Sequence, residues 1–250
     1  MSDFILETKN LTKEFKGFAA VTDVNLRVRR GYIHALIGPN GAGKTTVFNL
    51  LTKFHTPTSG TISFNGVDIT RERAADIALR GVVRSFQISA VFPHLTPLEN
   101  VRVALQRKLG TAYHFWKPAS TLHRLNDRAM ELLDAVGLSD AAGVPTVELS
   151  YGRKRALEIA TTLALEPELI LLDEPTQGMG AEDVGRITAL VKRVSTGRTI
   201  LMVEHNLKVV STLAGRVTVL QRGAILAEGS YDEVSGDPRV MEAYMGSAHA

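Results

Sequence analysis

The sequence predicts an α/β protein built on a parallel sheet, with an antiparallel β layer and an inserted α-helical subdomain, and three observations support that prediction. Short apolar runs alternate with helix-period segments along most of the 250 residues, the pattern of parallel strands joined by helical crossovers. A glycine-rich stretch, GPNGAGKTT from Gly38 to Thr46, separates an apolar run from an amphipathic one. Between about residues 88 and 160 the strand signals stop and helical periodicity takes over.

The candidate core strands, in chain order, are YIHALI at 32–37, GVVRSF at 81–86, LILLDE at 169–174 and TILMVEH at 199–205. Their uninterrupted apolar character suits strands buried on both faces. VTDVNLRV, TISFNGVDI, VTVLQ and AILAEG carry alternating polar positions, so they are expected in the antiparallel layer. One helix is expected from Leu98 to Leu109 and another from Arg153 to Leu165. Between them, Ser120 can cap a helix whose Leu122, Leu125, Ala129, Leu132, Leu133 and Val136 share one face, with Gly137 ending it. The expected organisation is a single domain: an α/β core with the β layer at 1–87 and 161–225, a helical subdomain at 88–160, and a tail at 226–250 with one or two short helices.

Composition narrows the function. With 44% hydrophobic and 22% charged residues the chain can bury a large core. It has no cysteine, which excludes disulfides, thiol catalysis and cysteine-ligated zinc. The start, MSDFILETKN, lacks the pattern of a secretory signal, and no window approaches about 18 continuous apolar residues, so neither secretion by signal peptide nor a membrane span is expected. The net charge of +3 is too mild to argue for a nucleic-acid partner.

Gly38, Gly43, Lys44 and Thr45 fit the phosphate-loop spacing G-x-x-x-x-G-K-S/T. Glycines permit the backbone angles that turn successive N–H groups toward one anion, and the following helix adds its positive end. Gly38, Pro39, Asn40, Gly41, Ala42, Gly43, Lys44, Thr45 and Thr46 are therefore candidate ligands of a nucleotide. Lys44 would reach the outer phosphates, and the Thr45 hydroxyl would ligate a magnesium ion. Such a loop serves kinases, GTPases, helicases and transport motors alike. LILLDEP at 169–175 ends a buried strand in two carboxylates, expensive unless a cation meets them. Asp173 would bind magnesium through water, and Glu174 would polarise the water attacking the γ-phosphate.

VELSYGRKRALEIA at 147–160 narrows the choice. Ser150 caps a helix and Gly152 lets an anion approach its start. Leu149, Ser150 and Gly152, about 20 residues before the strand bearing Asp173, resemble the LSGGQ signature of the ATP-binding cassette (ABC) family. The resemblance covers nearly the whole chain and implies a P-loop NTPase (RecA-like) core. It also implies that Phe15 stacks on adenine with Val21 as apolar neighbour, that Gln87 contacts magnesium and the attacking water, and that His205 hydrogen-bonds the γ-phosphate. Lys44, Glu174, Gln87 and His205 are thus the expected catalytic set, and Thr45, Gln87 and Asp173 the metal set. Two departures stand out. Tyr151 and Arg153 replace the usual glycine and glutamine, and Gln177, Gly178, Met179 and Gly180 replace S-A-L-D after Thr176. Arg153, Lys154 and Arg155 either add positive field toward the phosphates or only coat the helix.

The family resemblance implies an ATP-dependent homo- or heterodimer in which each chain sandwiches ATP between its own Lys44 and the partner's Ser150. It also implies transmembrane permease subunits, docked at ISAVFPHLTPLENV, a solute-binding protein engaged indirectly, and a place on the cytoplasmic face of a bacterial inner membrane. The signature, DEPTQGMG, VEHNL, the ending AEGSYDEVSGDPRVMEAYMG and the segment RKLGTAYHFWKPA resemble ATPase subunits of branched-chain amino-acid importers. Urea, amide and lipopolysaccharide systems share much of this wording. Soluble cassette ATPases usually have two cassettes or a coiled-coil insertion, and a phosphate-loop kinase has no use for Ser150 with Gly152.

Overall fold

The computed structural model describes residues 3–85, 91–107 and 119–246. Two sheets share the strands. The smaller contains β1 (Phe4–Phe15), β2 (Phe18–Val24), β3 (Arg27–Arg29), β5 (Ser59–Phe64) and β6 (Val67–Asp68) in the order β2-β1-β5-β6, with β3 also paired to β1, and all its pairs are antiparallel. The larger contains β4 (Ile33–Ile37), β7 (Val82–Ser85), β8 (Leu169–Asp173), β9 (Thr199–Val203), β10 (Arg216–Gln221) and β11 (Ala224–Gly229), ordered β11-β10-β4-β9-β8-β7.

Four of the expected core strands are β4, β7, β8 and β9, and they run parallel. Their continuous apolar runs have the expected cause. Ala35 and Ile37 enter one core cluster while Leu36 enters the other; Ile170 and Leu172 oppose Leu169 and Leu171, and Ile200 and Met202 oppose Leu201 and Val203. Each strand is thus buried on both faces, one toward the helices and one toward the smaller sheet.

Two expectations need correction. VTVLQ does not belong to the antiparallel layer: it is β10, parallel to β4 with Val217 opposite Ala35, and AILAEG forms β11 antiparallel to it at the edge of the larger sheet. The polar residue that mimicked solvent alternation, Thr218, is fully buried, bonded to His34 Nε2 at 2.8 Å and to Glu228 at 3.0 Å. Internal hydrogen bonds make such burial tolerable. The longest strand, β1, has no apolar run to announce it: register shifts and Asn10 at φ 49° interrupt its pattern.

The helices are α1 (Lys44–Leu51), α2 (Ala74–Leu79), α3 (Pro97–Gln106), α4 (Asn126–Ala135), α5 (Tyr151–Ala164), α6 (Ala181–Val194), α7 (Leu207–Leu213), α8 (Tyr231–Ser235) and α9 (Pro238–Gly246). Thr96 and Glu99 form a reciprocal capping box that starts α3. The helix expected from Ser120 begins instead as a 3₁₀ segment, Ala119–Leu125, before α4; Gly137, at φ 74°, ends it as expected, its N–H donated to the Asp134 carbonyl. The tail contributes α8 and α9, which bury Val234, Val240 and Ala243. Among the described residues no helix is long and apolar enough to cross a membrane.

Candidate nucleotide site

The register of the larger sheet brings the motifs together. Leu36 and Asp173 are both partners of Val203, so the segments after β4, β8 and β9 emerge at one level at the carboxyl ends of three adjacent strands. That is where α/β sheets hold ligands. Gly38 follows β4, Glu174 follows Asp173, and Glu204 and His205 follow β9.

Sterics fix the loop. Gly38 adopts φ 147°, and a Cβ there would meet the Leu220 carbonyl oxygen at 2.1 Å; Gly43 adopts φ 101°, where a Cβ would lie 2.7 Å from the Ala20 oxygen. Neither position admits another residue without moving backbone. Gly43 directly precedes α1, so the first N–H groups of that helix open onto the loop. The Lys44 side chain folds back, donating to the Gly38 carbonyl at 2.7 Å and the Pro39 carbonyl at 2.9 Å. Burial holds its ammonium pKa below the usual lysine value, partly opposed by the carboxylate of Glu174. Ala42 is buried and its carbonyl accepts from Gly223 N–H at 3.0 Å, while Gly41 and Thr45 are exposed and Pro39, Asn40 and Thr46 are partly or fully open.

At the end of β8 the two carboxylates take different partners. Asp173 is ion-paired with Arg84, which also donates to Asn49 at 2.7 Å and so ties β7 to α1. Glu174 sits at φ 45°, its N–H bonded to Val203 O at 2.9 Å, and its Oε1 lies 2.6 Å from His205 Nε2. A carboxylate only accepts, so Nε2 carries the proton in this contact. Glu204, one residue earlier, is buried and accepts from Thr176 N–H and hydroxyl, His205 N–H and Asn206 N–H. That set fixes the β9 turn against the loop after β8.

Ser150 caps α5, accepting from Arg153 N–H, and remains exposed. A Cβ on Gly152 would meet Asp183 Oδ1 at 2.8 Å, so α6 crowds this helix start. Ser150, Gly152, Arg153, Asp183, Arg186 and Arg193 line a cavity of about 510 Å³ to which no residue of the phosphate loop contributes. The three basic residues divide their roles: Arg153 pairs with Asp140, Lys154 donates to the Val147 carbonyl, and buried Arg155 pairs with Glu158 while donating to the Asp173 carbonyl at 3.0 Å. Of the three, Arg155 is the one that ties α5 to the backbone at the end of β8. The two departures from the family wording touch each other, because the Tyr151 hydroxyl donates to the Gln177 carbonyl at 3.3 Å.

Phe15 is 39% exposed, edge-on to His55 at 5.2 Å with Lys13 Nζ 5.0 Å from its ring centre, so a face of it is open to stacking. Val21 is fully buried beneath Gly43 and supports the loop from below rather than presenting a face to a base. Gln87 lies outside the described residues, as do residues 88–90 of the proline-containing stretch. The described remainder is stapled by buried Asn100, which accepts from Phe92 N–H at 2.7 Å and donates to Phe92 O and Thr146 Oγ1. It leaves exposed Phe92 and Val103 on a groove of about 300 Å³ that also includes Arg84 and Ser85. Sequence reasoning missed Arg84 and Glu204 and left the role of Arg155 open. The sign available for the first two was a charge embedded in, or bordering, an otherwise apolar run.

The profile of the family described as ABC transporter matches residues 21–177, and that of the branched-chain amino acid ATP-binding cassette transporter matches residues 224–250. The high-affinity branched-chain amino acid transport ATP-binding protein BraF of Pseudomonas aeruginosa is 38% identical over 99% of this chain and 100% of its own length. The protein LivG of Escherichia coli, with the same description, is 36% identical over the same shares. The ADP conformation of an ATP-binding cassette of an ABC transporter superposes with a TM-score of 0.86 at 31% identity, covering 98% of this chain and 100% of that one. A dimeric post-hydrolysis cassette bound to ADP and Pi gives a TM-score of 0.75 at 26% identity, over 90% of this chain and 98% of that one.

Proposed function

Because the chain belongs to the ABC transporter family, whose cassettes bind nucleotide and hydrolyse ATP to power transport, we propose that it is the ATPase subunit of an importer for branched-chain amino acids. The observation that supports the solute class is the match of residues 224–250 to the branched-chain profile, on a chain whose full-length relatives carry that description.

ATP binds across Gly38 to Thr46, with adenine against Phe15. Lys44 leaves the Gly38 and Pro39 carbonyls for the outer phosphates, where its buried ammonium gains an anionic partner. Glu174 orients the attacking water and takes its proton as the water oxygen bonds to the γ-phosphorus and the bond to the bridging oxygen breaks, releasing ADP and phosphate. His205 exchanges Glu174 for a γ-phosphate oxygen, which frees the carboxylate for water. A magnesium ion fits the donors present: it takes hard oxygens and keeps several waters, needing one or two protein groups beside the phosphates. The exposed Thr45 hydroxyl and the Asp173 carboxylate are such groups, with Gln87 as a third. When bound, the ion neutralises charge on the transferring phosphoryl group.

Cassettes of this family dimerise. We assign Ser150 and Gly152 to the nucleotide held by the loop of a second ATP-binding subunit, since their cavity contains no residue of their own chain's loop. The groove beside Phe92 and Val103 receives a cytoplasmic helix of the transmembrane permease. Arg84 lines that groove and grips Asp173, which gives the docked helix a direct path to the site. The chain therefore acts at the cytoplasmic face of the inner membrane, where the permease passes solute from a binding protein.

Uptake of labelled leucine, isoleucine and valine by cells in which Lys44→Ala replaces the native chain tests this reading. Loss of that uptake is expected, together with co-purification of a permease on the tagged chain. Normal uptake of these amino acids with loss of urea or amide uptake would contradict the solute assignment.

A further inference from the structure

Glu174, the proposed general base, sits at φ 45°, in the left-handed region. A residue with a Cβ enters that region at a cost and stays there only where its surroundings hold it. The peptide groups on both sides of Glu174 are bonded. Its N–H donates to the Val203 carbonyl of β9 at 2.9 Å, and its carbonyl accepts from Gln177 N–H at 3.1 Å. The preceding carbonyl, that of Asp173, accepts from Arg155 Nη2 of α5 at 3.0 Å. The Asp173 carbonyl and the Glu174 N–H belong to one peptide plane. That plane is therefore held by β9 through its N–H and by α5 through its oxygen.

The bond from α5 begins where strand pairing stops. Among the described residues the ladder between β7 and β8 ends at Ser85 opposite Leu172, one residue before Asp173. Arg155 is itself fixed in place: it is 6% exposed, and it is ion-paired with Glu158, 5% exposed, on the same helix. A guanidinium is a planar fork able to serve two acceptors at once. Here Nη1 takes Glu158 and Nη2 takes the strand end. Apolar side chains of matching volume commonly replace such buried pairs without loss of stability, so packing alone does not account for this one.

We propose that Arg155 is a positioning residue for ATP hydrolysis, which holds the Asp173–Glu174 peptide from α5 and so keeps the Glu174 carboxylate aimed at the attacking water. This rests on the reading of Glu174 as the base and extends it to a residue outside the strand-end motif. Glu174 Oε1 lies 2.6 Å from His205 Nε2 and gives up that contact to reach the water, so its side chain moves during the reaction. Its backbone is the part that stays fixed, and a displacement of about 1 Å can cost roughly 10²-fold in rate. The same helix begins at Ser150, so the base of one site is anchored to the helix whose start is assigned to the nucleotide of the other.

Arg155→Met combined with Glu158→Met removes the donor without leaving a buried carboxylate unpaired. In the full chain kcat should fall about ten- to hundredfold, with KM for ATP and the Kd of a fluorescent ADP analogue within twofold of wild type. Arg155→Lys keeps a cation beside Glu158 but lacks the fork, and its kcat should fall less. Labelling aspartate carbonyls with ¹³C and glutamate amides with ¹⁵N selects two peptides, Asp173–Glu174 and Asp232–Glu233, and Glu174→Gln assigns the first by deleting it. The Asp173 carbonyl should move upfield in both Arg155 variants, while that of Asp232 in α8 stays in place. In a Glu174→Gln background the paired substitution should leave the ATP-dependent dimer intact. An unmoved Asp173 carbonyl in the paired variant, a displaced one with kcat within twofold of wild type in either variant, a loss carried by KM, or a lost dimer would overturn the proposal. Glu174→Gln that hydrolyses ATP at the wild-type rate would instead overturn the reading of Glu174 as the base, and this role with it.

Discussion

Around the phosphate loop the chain satisfies its own functional groups: Lys44 rests on the Gly38 and Pro39 carbonyls, Asp173 on Arg84 and Glu174 on His205, all at the buried carboxyl edge of the larger sheet. At the start of α5, Ser150 is exposed, and Tyr151 and Arg153 spend their polar groups on Gln177 and Asp140. The loop is assembled by strand register, so its geometry exists in a single chain. The α5 start is presented outward by a helix, and in the proposed shared site a second chain supplies the nucleotide it faces. This difference separates changes that abolish binding from changes that abolish only the joint action of two chains.

The largest expected effect is at Glu174. Glu174→Gln should bind ATP as wild type does yet hydrolyse it on the order of 10²- to 10⁴-fold more slowly, the usual contribution of a general base. Gel filtration with ATP and magnesium should then show a dimer, and a species that stays monomeric across a wide ATP range would break the split between the two regions. Lys44→Ala should remove a buried cation aimed at the phosphates, lowering turnover on the order of 10²- to 10³-fold and, unlike Glu174→Gln, abolishing measurable ATP binding. Calorimetric titration separates the two variants.

A smaller loss belongs to the outward-facing region. Gly152→Asp crowds Asp183 and sets a carboxylate at the helix start. Turnover should fall about 10- to 100-fold, equivalent to the loss of one charge-assisted contact of about 1.5–3 kcal/mol. ADP affinity of the isolated chain should be unchanged, and a matching fall in ADP affinity would erase the contrast.

The least effect concerns stability under both regions. His34 in β4 is 1% exposed, and burial lowers its pKa to about 4, with Glu228 opposing and Arg216 reinforcing the shift. Between that value and the ordinary one near 6.5 the folded chain binds fewer protons than the unfolded chain, so stability rises with pH in this window. The contribution, on the order of 3 kcal/mol, is complete above about pH 6.5 and is lost as pH falls toward 4. Urea melts from pH 4 to 7 should show this slope in wild type and a flatter one in His34→Leu.

The phosphate-loop and strand-end motifs of the candidate site were legible in sequence because each is local. Gly38, Gly43, Lys44 and Thr45 are spaced along one turn, and Asp173 with Glu174 closes one apolar run. The four parallel core strands were legible for a related reason: burial on both faces leaves no polar position to confuse the pattern. β10 was misplaced because Thr218 is polar and buried, its bonds supplied by His34 and Glu228 from neighbouring strands. Arg84 and Arg155 reach their partners only through tertiary packing, across 89 and 18 positions of chain. No spacing rule connects residues that far apart. Val21 was expected beside Phe15 as an apolar neighbour of adenine, and it lies instead hidden beneath Gly43.

Mixing two inactive variants tests the central claim most directly. Lys44→Ala keeps an intact Ser150 and Gly152 but has no usable loop, whereas Gly152→Asp keeps the loop and loses the helix start. If each nucleotide is clamped between the loop of one chain and the α5 start of another, their mixed dimer contains one complete site, and combining them should restore ATP turnover well above the sum of the two alone. Turnover that equals that sum at every ratio, in mixtures shown by cross-linking to contain the mixed dimer, would contradict the shared site.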